Sequence, residues 1–308
     1  MVKSFSLDDQ TIFLSSSEDM SMVDTNAVNL IITSPPYWNL KDYGHPNQIG
    51  QEDYKSYLAR MNKVWSECAR VSTNNAILAI NIGNRRAEGR YYPIGWDIYC
   101  AMPPEWKLID NIIWYIPNAL PQCKWYIEKL FDNKYENVLI FAKNYDYNYT
   151  FNKIRVKQKY AEADPRADNK NPKGRCIGNV IRIPAYRPPN IKEIGYYKAG
   201  YPEELVFFIT STYSNEGNTV LDPFLGSGTT LKVAKTMKRK GIGFEINDAL
   251  EPTIRKRILE EWSLPPFENL DIIHSSNNIP GMNGVTRRPD LDKKSGKKAK
   301  GQGLDKYI

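Results

Sequence analysis

Apolar positions recur along the chain in two patterns. Over 53–70 (DYKSYLARMNKVWSECAR) they fall at Tyr54, Tyr57, Leu58, Met61, Val64, Trp65 and Cys68, the spacing of one helix face. Glu52 and Asp53 stand at its start, where the helix dipole favours acidic groups. Short, nearly continuous apolar runs at 28–34 (VNLIITS), 76–83 (AILAINIG), 110–117 and 135–143 predict buried strands. Later, 202–214 (PEELVFFITSTYS) reads as a helix with proline and two glutamates in its first turn. Strand 218–224, helix 229–240, strand 241–246 and helix 250–262 follow. Strands alternating with helices predict an open α/β sheet. Between 144 and 200 the pattern breaks into aromatic, basic and turn residues, which predicts an insertion or small subdomain.

Composition narrows the class. The 308 residues are 41% hydrophobic and 25% charged, ordinary for a globular protein with a core and enough for one large domain or two small ones. No apolar run approaches the ~18 residues of a membrane span, and the first ten residues carry no secretory-type apolar stretch. These features predict a soluble intracellular protein. Four scattered cysteines and two histidines poorly serve a disulfide framework, a zinc site or a Ser-His-Asp hydrolase.

The net charge of +7 is uneven. Residues 144–200 hold 12 Lys/Arg against 5 Asp/Glu, and 285–308 hold 8 against 3, leaving the remainder slightly acidic. Such asymmetry points to a polyanionic partner, most often nucleic acid. The Lys-, Gly- and Ser-rich tail over 285–308 reads as a disordered, solubilising segment.

Two motifs carry chemistry. In VLDPFLGSGTTLKVAKTMKRKGIGFEI a strand, a glycine turn, a helix and a second strand lead to Glu245, 19 residues after Gly226. Glycines let a ligand approach the backbone at a helix N-terminus, and an acidic residue at the end of the next strand suits ribose hydroxyls. Leu231 occupies the third glycine position of a dinucleotide fingerprint, and no P-loop occurs. Asp222 would repel a pyrophosphate but could accept from an ammonium group. A ligand joining adenosine to a cationic amino acid fits, and S-adenosylmethionine is one.

The other motif is TSPPYW at 33–38. Proline fixes its own φ, lacks an N–H and pushes the preceding residue to extended conformations. Ser34, Pro35 and Pro36 are thereby held stiffly beyond a strand end, offering a hydroxyl and carbonyls without obligatory partners, beside the ring of Tyr37. Such acceptors and a flat aromatic face suit a nucleobase with an exocyclic amino group.

Together, TSPPYW and DPFLGSGTT (222–230) resemble the amino-group DNA methyltransferases of restriction–modification systems. The order, catalytic motif first, is similar to the family's β class. The resemblance implies a circularly permuted, Rossmann-like, S-adenosylmethionine-dependent methyltransferase fold with an inserted target recognition region. Implied boundaries are a catalytic half over 1–143, recognition region 144–200, cofactor half 201–284 and tail 285–308. Ser34, Pro35, Pro36 and Tyr37 would be catalytic. Thr33, Tyr201, Glu203, Asp222, Pro223, Phe224, Gly226, Ser227, Gly228, Thr229 and Glu245 would hold the cofactor. Ser15 or Ser16 would replace an acidic cofactor contact common in the family. Arg155, Lys157, Lys159, Arg166, Lys173, Arg175, Arg182 and Arg187 are the candidate DNA contacts.

The implied partners are double-stranded DNA and a cognate restriction endonuclease, without metal or membrane. The implied setting is a prokaryotic cytoplasm and nucleoid, with a monomer or homodimer. Serine at the motif's first position is associated with cytosine N4, and Asp or Asn with adenine N6. Adenine N6 methylation, RNA amino-methylation and a non-catalytic DNA-binding role stay open at this point. No cysteine follows a proline, as cytosine C5 chemistry would need.

Overall fold

Two faces of one sheet sort the apolar residues. The computed structural model describes residues 2–119, 129–144, 148–157, 173–185 and 200–271. In chain order the elements are β1 (Lys3–Leu7), β2 (Gln10–Leu14), β3 (Val28–Thr33), α1 (Tyr54–Val71), β4 (Ser72–Ile82), β5 (Arg85–Ala87), β6 (Arg90–Tyr92) and α2 (Ile94–Cys100). Then come β7 (Trp106–Tyr115), β8 (Tyr135–Lys143), β9 (Arg155–Val156), β10 (Arg175–Cys176), β11 (Val180–Arg182), α3 (Glu203–Tyr213), β12 (Thr219–Asp222), α4 (Thr229–Thr236), β13 (Lys240–Phe244) and α5 (Glu251–Leu259).

Nine of these strands form a sheet in the order β1-β2-β13-β12-β3-β4-β8-β7-β11, with β9–β10 and β5–β6 as separate two-stranded sheets. The run from β2 to β4 is parallel, and β8 is antiparallel to both β4 and β7. Side chains alternate across a strand. Leu30 and Ile32 therefore join Leu205, Val206 and Val233 on one face, while Ile31 joins Met61, Trp65 and Ile98 on the other. Both faces are covered, which is why these strands are continuous apolar runs. The chain's two halves meet at the sheet's centre: Val220 pairs with Leu30 and Leu221 with Ile31.

Local chemistry sets the element ends. The Asp53 carboxylate caps α1, accepting from Lys55 N and Ser56 N at 3.1 Å each. The elements expected from periodicity are all present, with bounds within a few residues of the expectation. The 144–200 segment does not stay apart from the sheet: Val180–Arg182 pairs parallel with β7, and Ile181 bridges Asp271. The hairpins β1–β2 and β5–β6 and helix α2 have no counterpart in the periodic pattern. No described helix is long and apolar enough to cross a membrane. The 285–308 tail lies outside the described residues.

Candidate active site

All parallel strands of the central run end at one edge, and a cavity of about 680 Å³ opens there. The carboxyl ends of parallel strands are where ligands sit in open α/β sheets. Ser34, Pro35, Pro36 and Tyr37 form one part of its wall, at the end of β3. Pro223, Phe224, Gly226, Ser227 and Thr229, in the turn from β12 to α4, form another. Tyr201 and Glu245 complete the expected residues that reach it. The two sequence motifs thus share a single cavity.

The turn after β12 needs its glycines. Gly226 has φ +56° and Gly228 φ +99°, conformations that cost a side chain energy. Gly226 N donates to Glu245 Oε2 at 2.9 Å, and Asn247 N donates to Oε1 at 2.9 Å. Each carboxylate oxygen keeps further acceptor capacity toward the cavity. Burial pushes the Glu245 carboxyl up to about 7, against those two backbone donors, which pull it down.

A pH prediction follows from that shift. An acid with a raised folded-state pKa gives stability that is present at low pH and lost as pH rises through the folded value. The wild-type protein should therefore lose about 2 kcal/mol relative to Glu245→Gln as pH rises from the ordinary carboxylate range, about 4.5, to about 7, and little more above that. Urea midpoints of both proteins at each pH check this, and parallel profiles would refute it.

Four expected cofactor residues lie elsewhere. Asp222 is 1% exposed and turned into the protein. Its Oδ1 accepts from Thr33 Oγ1 (2.7 Å) and Phe224 N (3.0 Å); Oδ2 bonds Tyr201 Oη (3.0 Å) and Thr230 Oγ1. The carboxylate expected to meet an ammonium group instead ties β3, β12 and the glycine turn together, and Thr33 stands behind the wall with it. Burial holds this carboxyl above its ordinary range. Gly228 caps α4 and faces Ile254 and Ile258. Glu203 points away from the cavity into a buried ion cluster, 2.6 Å from Arg257 and 3.2 Å from Lys232.

Ser15, Ser16 and Ser17 line the cavity. Ser16 Oγ is engaged with Glu18, whereas Ser15 Oγ is buried without a partner among the described residues. A buried orphan hydroxyl is costly unless a ligand satisfies it. With Glu245 and the open glycine turn, it makes the residues present fit a nucleoside bearing a polar amino-acid end.

The proline corner is braced from below. Tyr37 Oη donates to Glu136 Oε2 at 2.8 Å, and Asn81 Nδ2 donates to the same oxygen at 2.7 Å. Burial raises the Glu136 carboxyl, which these two donors offset. Asn81 Nδ2 also lies 3.5 Å from Ser34 Oγ. Gly83 passes under the ring: a Cβ there would sit 3.1 Å from Tyr37 Cε2, so glycine permits the close approach. The Pro36 carbonyl is taken by Tyr57 Oη at 2.9 Å, contrary to the expectation that it would be open. No donor among the described residues is bonded to the Pro35 carbonyl. Ser34 Oγ, the Pro35 carbonyl and the Tyr37 ring therefore remain to receive a planar amino-bearing ligand.

Asn81 and Glu136 escaped the motif reading. Their signal was present: each is a polar residue at the cavity end of an otherwise apolar buried strand. Polar groups in such places need partners, and here the partners are Tyr37 and Ser34 of the proline corner. The loop 40–49 adds Lys41, Tyr43 and Gln48 to the wall.

The expected DNA contacts divide. Arg155 Nη1 donates to Gly174 O at 3.0 Å, and Arg175 pairs with the buried Asp271, so both brace the β9–β10 region. Lys157 and Lys173 are exposed, and Arg182 is half-buried in β11. Lys159, Arg166 and Arg187 lie outside the described residues.

Residues 28–256 match the family model described as DNA methylase, of the N6/N4 methyltransferases. The chain belongs to this family. The DNA methylase is 31% identical over 223 residues to the type II methyltransferase M.MwoI of Methanothermobacter wolfeii, a match spanning 70% of this chain and 28% of that longer relative. It is 27% identical to the type II methyltransferase M.SmaI of Serratia marcescens, over 79% of this chain and 88% of that one. Among solved structures, the PvuII DNA methyltransferase (cytosine-N4-specific) aligns with TM-score 0.63 at 18% identity, covering 82% of this chain and 87% of that one. M1.HpyAVI in complex with SAM aligns with TM-score 0.55 at 18% identity, covering 81% and 98%. These structural likenesses concern the fold: a Rossmann-like, S-adenosylmethionine-dependent methyltransferase sheet.

Proposed function

We propose that this DNA methylase transfers a methyl group from S-adenosylmethionine to the exocyclic N4 of cytosine in a specific duplex sequence, protecting that sequence from a cognate restriction endonuclease. The observation that carries the reading is the single cavity walled by both Ser34–Tyr37 and the turn 223–229 with Glu245. Ser34 at the head of the motif supports cytosine N4, as does the fold neighbour described as cytosine-N4-specific.

S-adenosylmethionine would supply an electrophilic methyl on sulfur. Glu245 would accept from its ribose hydroxyls and Ser15 would meet its amino-acid end. The target base would leave the duplex and stack on Tyr37, which offsets part of the unstacking cost of a few kcal/mol. Ser34 Oγ and the Pro35 carbonyl would accept from the amino group and aim the nitrogen lone pair at the methyl. Displacement would be direct: the nitrogen–methyl bond would form as the sulfur–methyl bond breaks, leaving a neutral thioether, and the amino group would give up one proton to solvent, so positioning would be the protein's main contribution. Asn81 and Glu136 would hold Tyr37 and Ser34 in place. Segment 144–200, with Lys157, Lys173 and Arg182, is the proposed recognition region.

Labelled S-adenosylmethionine incubated with unmethylated plasmid DNA should transfer its methyl to the duplex. Nucleoside digestion of the product should yield N4-methylcytosine, and sequencing should map one methylated site. N6-methyladenine in the digest would replace the base assignment. Preferential transfer to structured RNA, or none to any DNA despite cofactor binding, would sink the DNA reading.

A further inference from the structure

The cavity's edge of the sheet carries a second feature, outside both motifs. Past β4 the chain forms the β5–β6 hairpin, and residues 129–134 lead into β8. Both lie beyond the strand ends where Ser34, Gly83 and Glu136 stand. Phe131 is 94% exposed, and Leu130, Tyr91 and Tyr135 around it are exposed as well. A cluster of bare aromatic and aliphatic side chains marks an interaction surface.

This lip is tied together and to the catalytic corner. Arg86 Nη1 donates to the Phe131 carbonyl at 3.3 Å, and its guanidinium lies 5.8 Å from the Tyr91 ring centroid. Arg85 Nη2 donates to the carbonyl of Asn39, two residues past Tyr37, at 2.9 Å. Lys134 Nζ donates to Ala119 O at 2.9 Å, and Lys134 O accepts from Ile116 N, a residue of the cavity wall. Among the described residues no carboxylate pairs with Arg85, Arg90, Lys129 or Lys134. Cations without a carboxylate partner around an apolar tip suit phosphates flanking a base stack.

Removing a base from a duplex leaves a gap in the stack, and an apolar side chain such as phenylalanine can occupy a base step. We infer that duplex DNA docks on this lip, with Phe131 inserted where the target base leaves and Arg85 and Arg90 on the adjoining phosphates. The inference rests on the DNA-methylation reading above. It adds a surface outside the 144–200 segment and accounts for the exposure of Phe131.

The test uses the full chain and a duplex bearing the mapped site, prepared in two forms. In one the target base is paired; in the other an abasic position stands opposite it. Phe131→Ala should lower methyl transfer to the paired duplex by about 10-fold or more, since the flipped state loses its filler. Most of that loss should vanish on the abasic-opposed duplex, where the target is already unpaired. Phe131→Leu should keep most of the activity, and S-adenosylmethionine affinity should be unchanged throughout. Wild-type rates from Phe131→Ala on the paired duplex, or an equal loss on both duplexes, would overturn the inference. A wild-type protein that methylates no DNA removes the methylation reading itself, and this one with it.

Discussion

Tyr37→Ala should reduce methyl transfer by about 100-fold while changing S-adenosylmethionine affinity by less than about 3-fold. Two losses combine. Stacking of a base on an aromatic ring is worth about 1–3 kcal/mol, and the misplaced amino group forfeits part of the orientation on which a direct displacement depends. Tyr37→Phe separates them: the ring stays, but the 2.8 Å bond to Glu136 goes. Its expected loss is about 10-fold, the cost of a less firmly held ring. Single-turnover rates at saturating DNA, beside cofactor titration of each variant, read both quantities. Full activity in Tyr37→Ala, or an equal fall in cofactor binding, would remove Tyr37 from the base pocket.

Asp222→Ala should destabilise the fold by about 3 kcal/mol, because it strands several buried donors at once. Thr33 Oγ1, Phe224 N and the Tyr201–Thr230 hydroxyl pair all converge on this carboxylate. The figure is smaller than four separate hydrogen bonds to a charged group would suggest. Burial already disfavours the ionised form, as the raised carboxyl shows. Asp222→Asn keeps an acceptor oxygen and should cost about half as much. Urea unfolding of each variant without ligand reads the effect, since a purely ligand-binding carboxylate would leave that midpoint unmoved.

The elements that govern the site were legible where burial is complete on both sides. β3 and β8 read as apolar runs because helices cover both faces, and α1 read as a helix because only one stripe is buried. The hairpins β1–β2 and β5–β6 were silent. β1, β5 and β6 are largely exposed or half-buried, so burial imposes no strict alternation on them. β2 does alternate, but one of its three buried positions is Gln10, which breaks the apolar pattern. β11 was hidden because three residues are too few to show a period.

Within the site, the corner and the glycine turn were legible from backbone chemistry, which prolines and glycines announce. Side-chain direction was not. Glu203 and Asp222 read as ligand carboxylates, yet one faces a lysine and an arginine and the other faces hydroxyls of its own fold. Nothing in local sequence tells which neighbour a helix or strand end will aim at. That is decided by packing of α3 and α4 against the sheet.

The pairing of β12 with β3 has a temporal consequence. The bond from Thr33 to Asp222 closes a loop of 189 residues, and contacts so distant in sequence form late and slowly. On the ribosome, the proline corner emerges long before the turn and Glu245 that complete its cavity. On the proposed reading, a nascent chain would carry the base-holding corner without the cofactor turn, and the cavity that joins them would be complete only once synthesis has passed β13. The permuted order thus leaves the shared cavity to be completed late in translation.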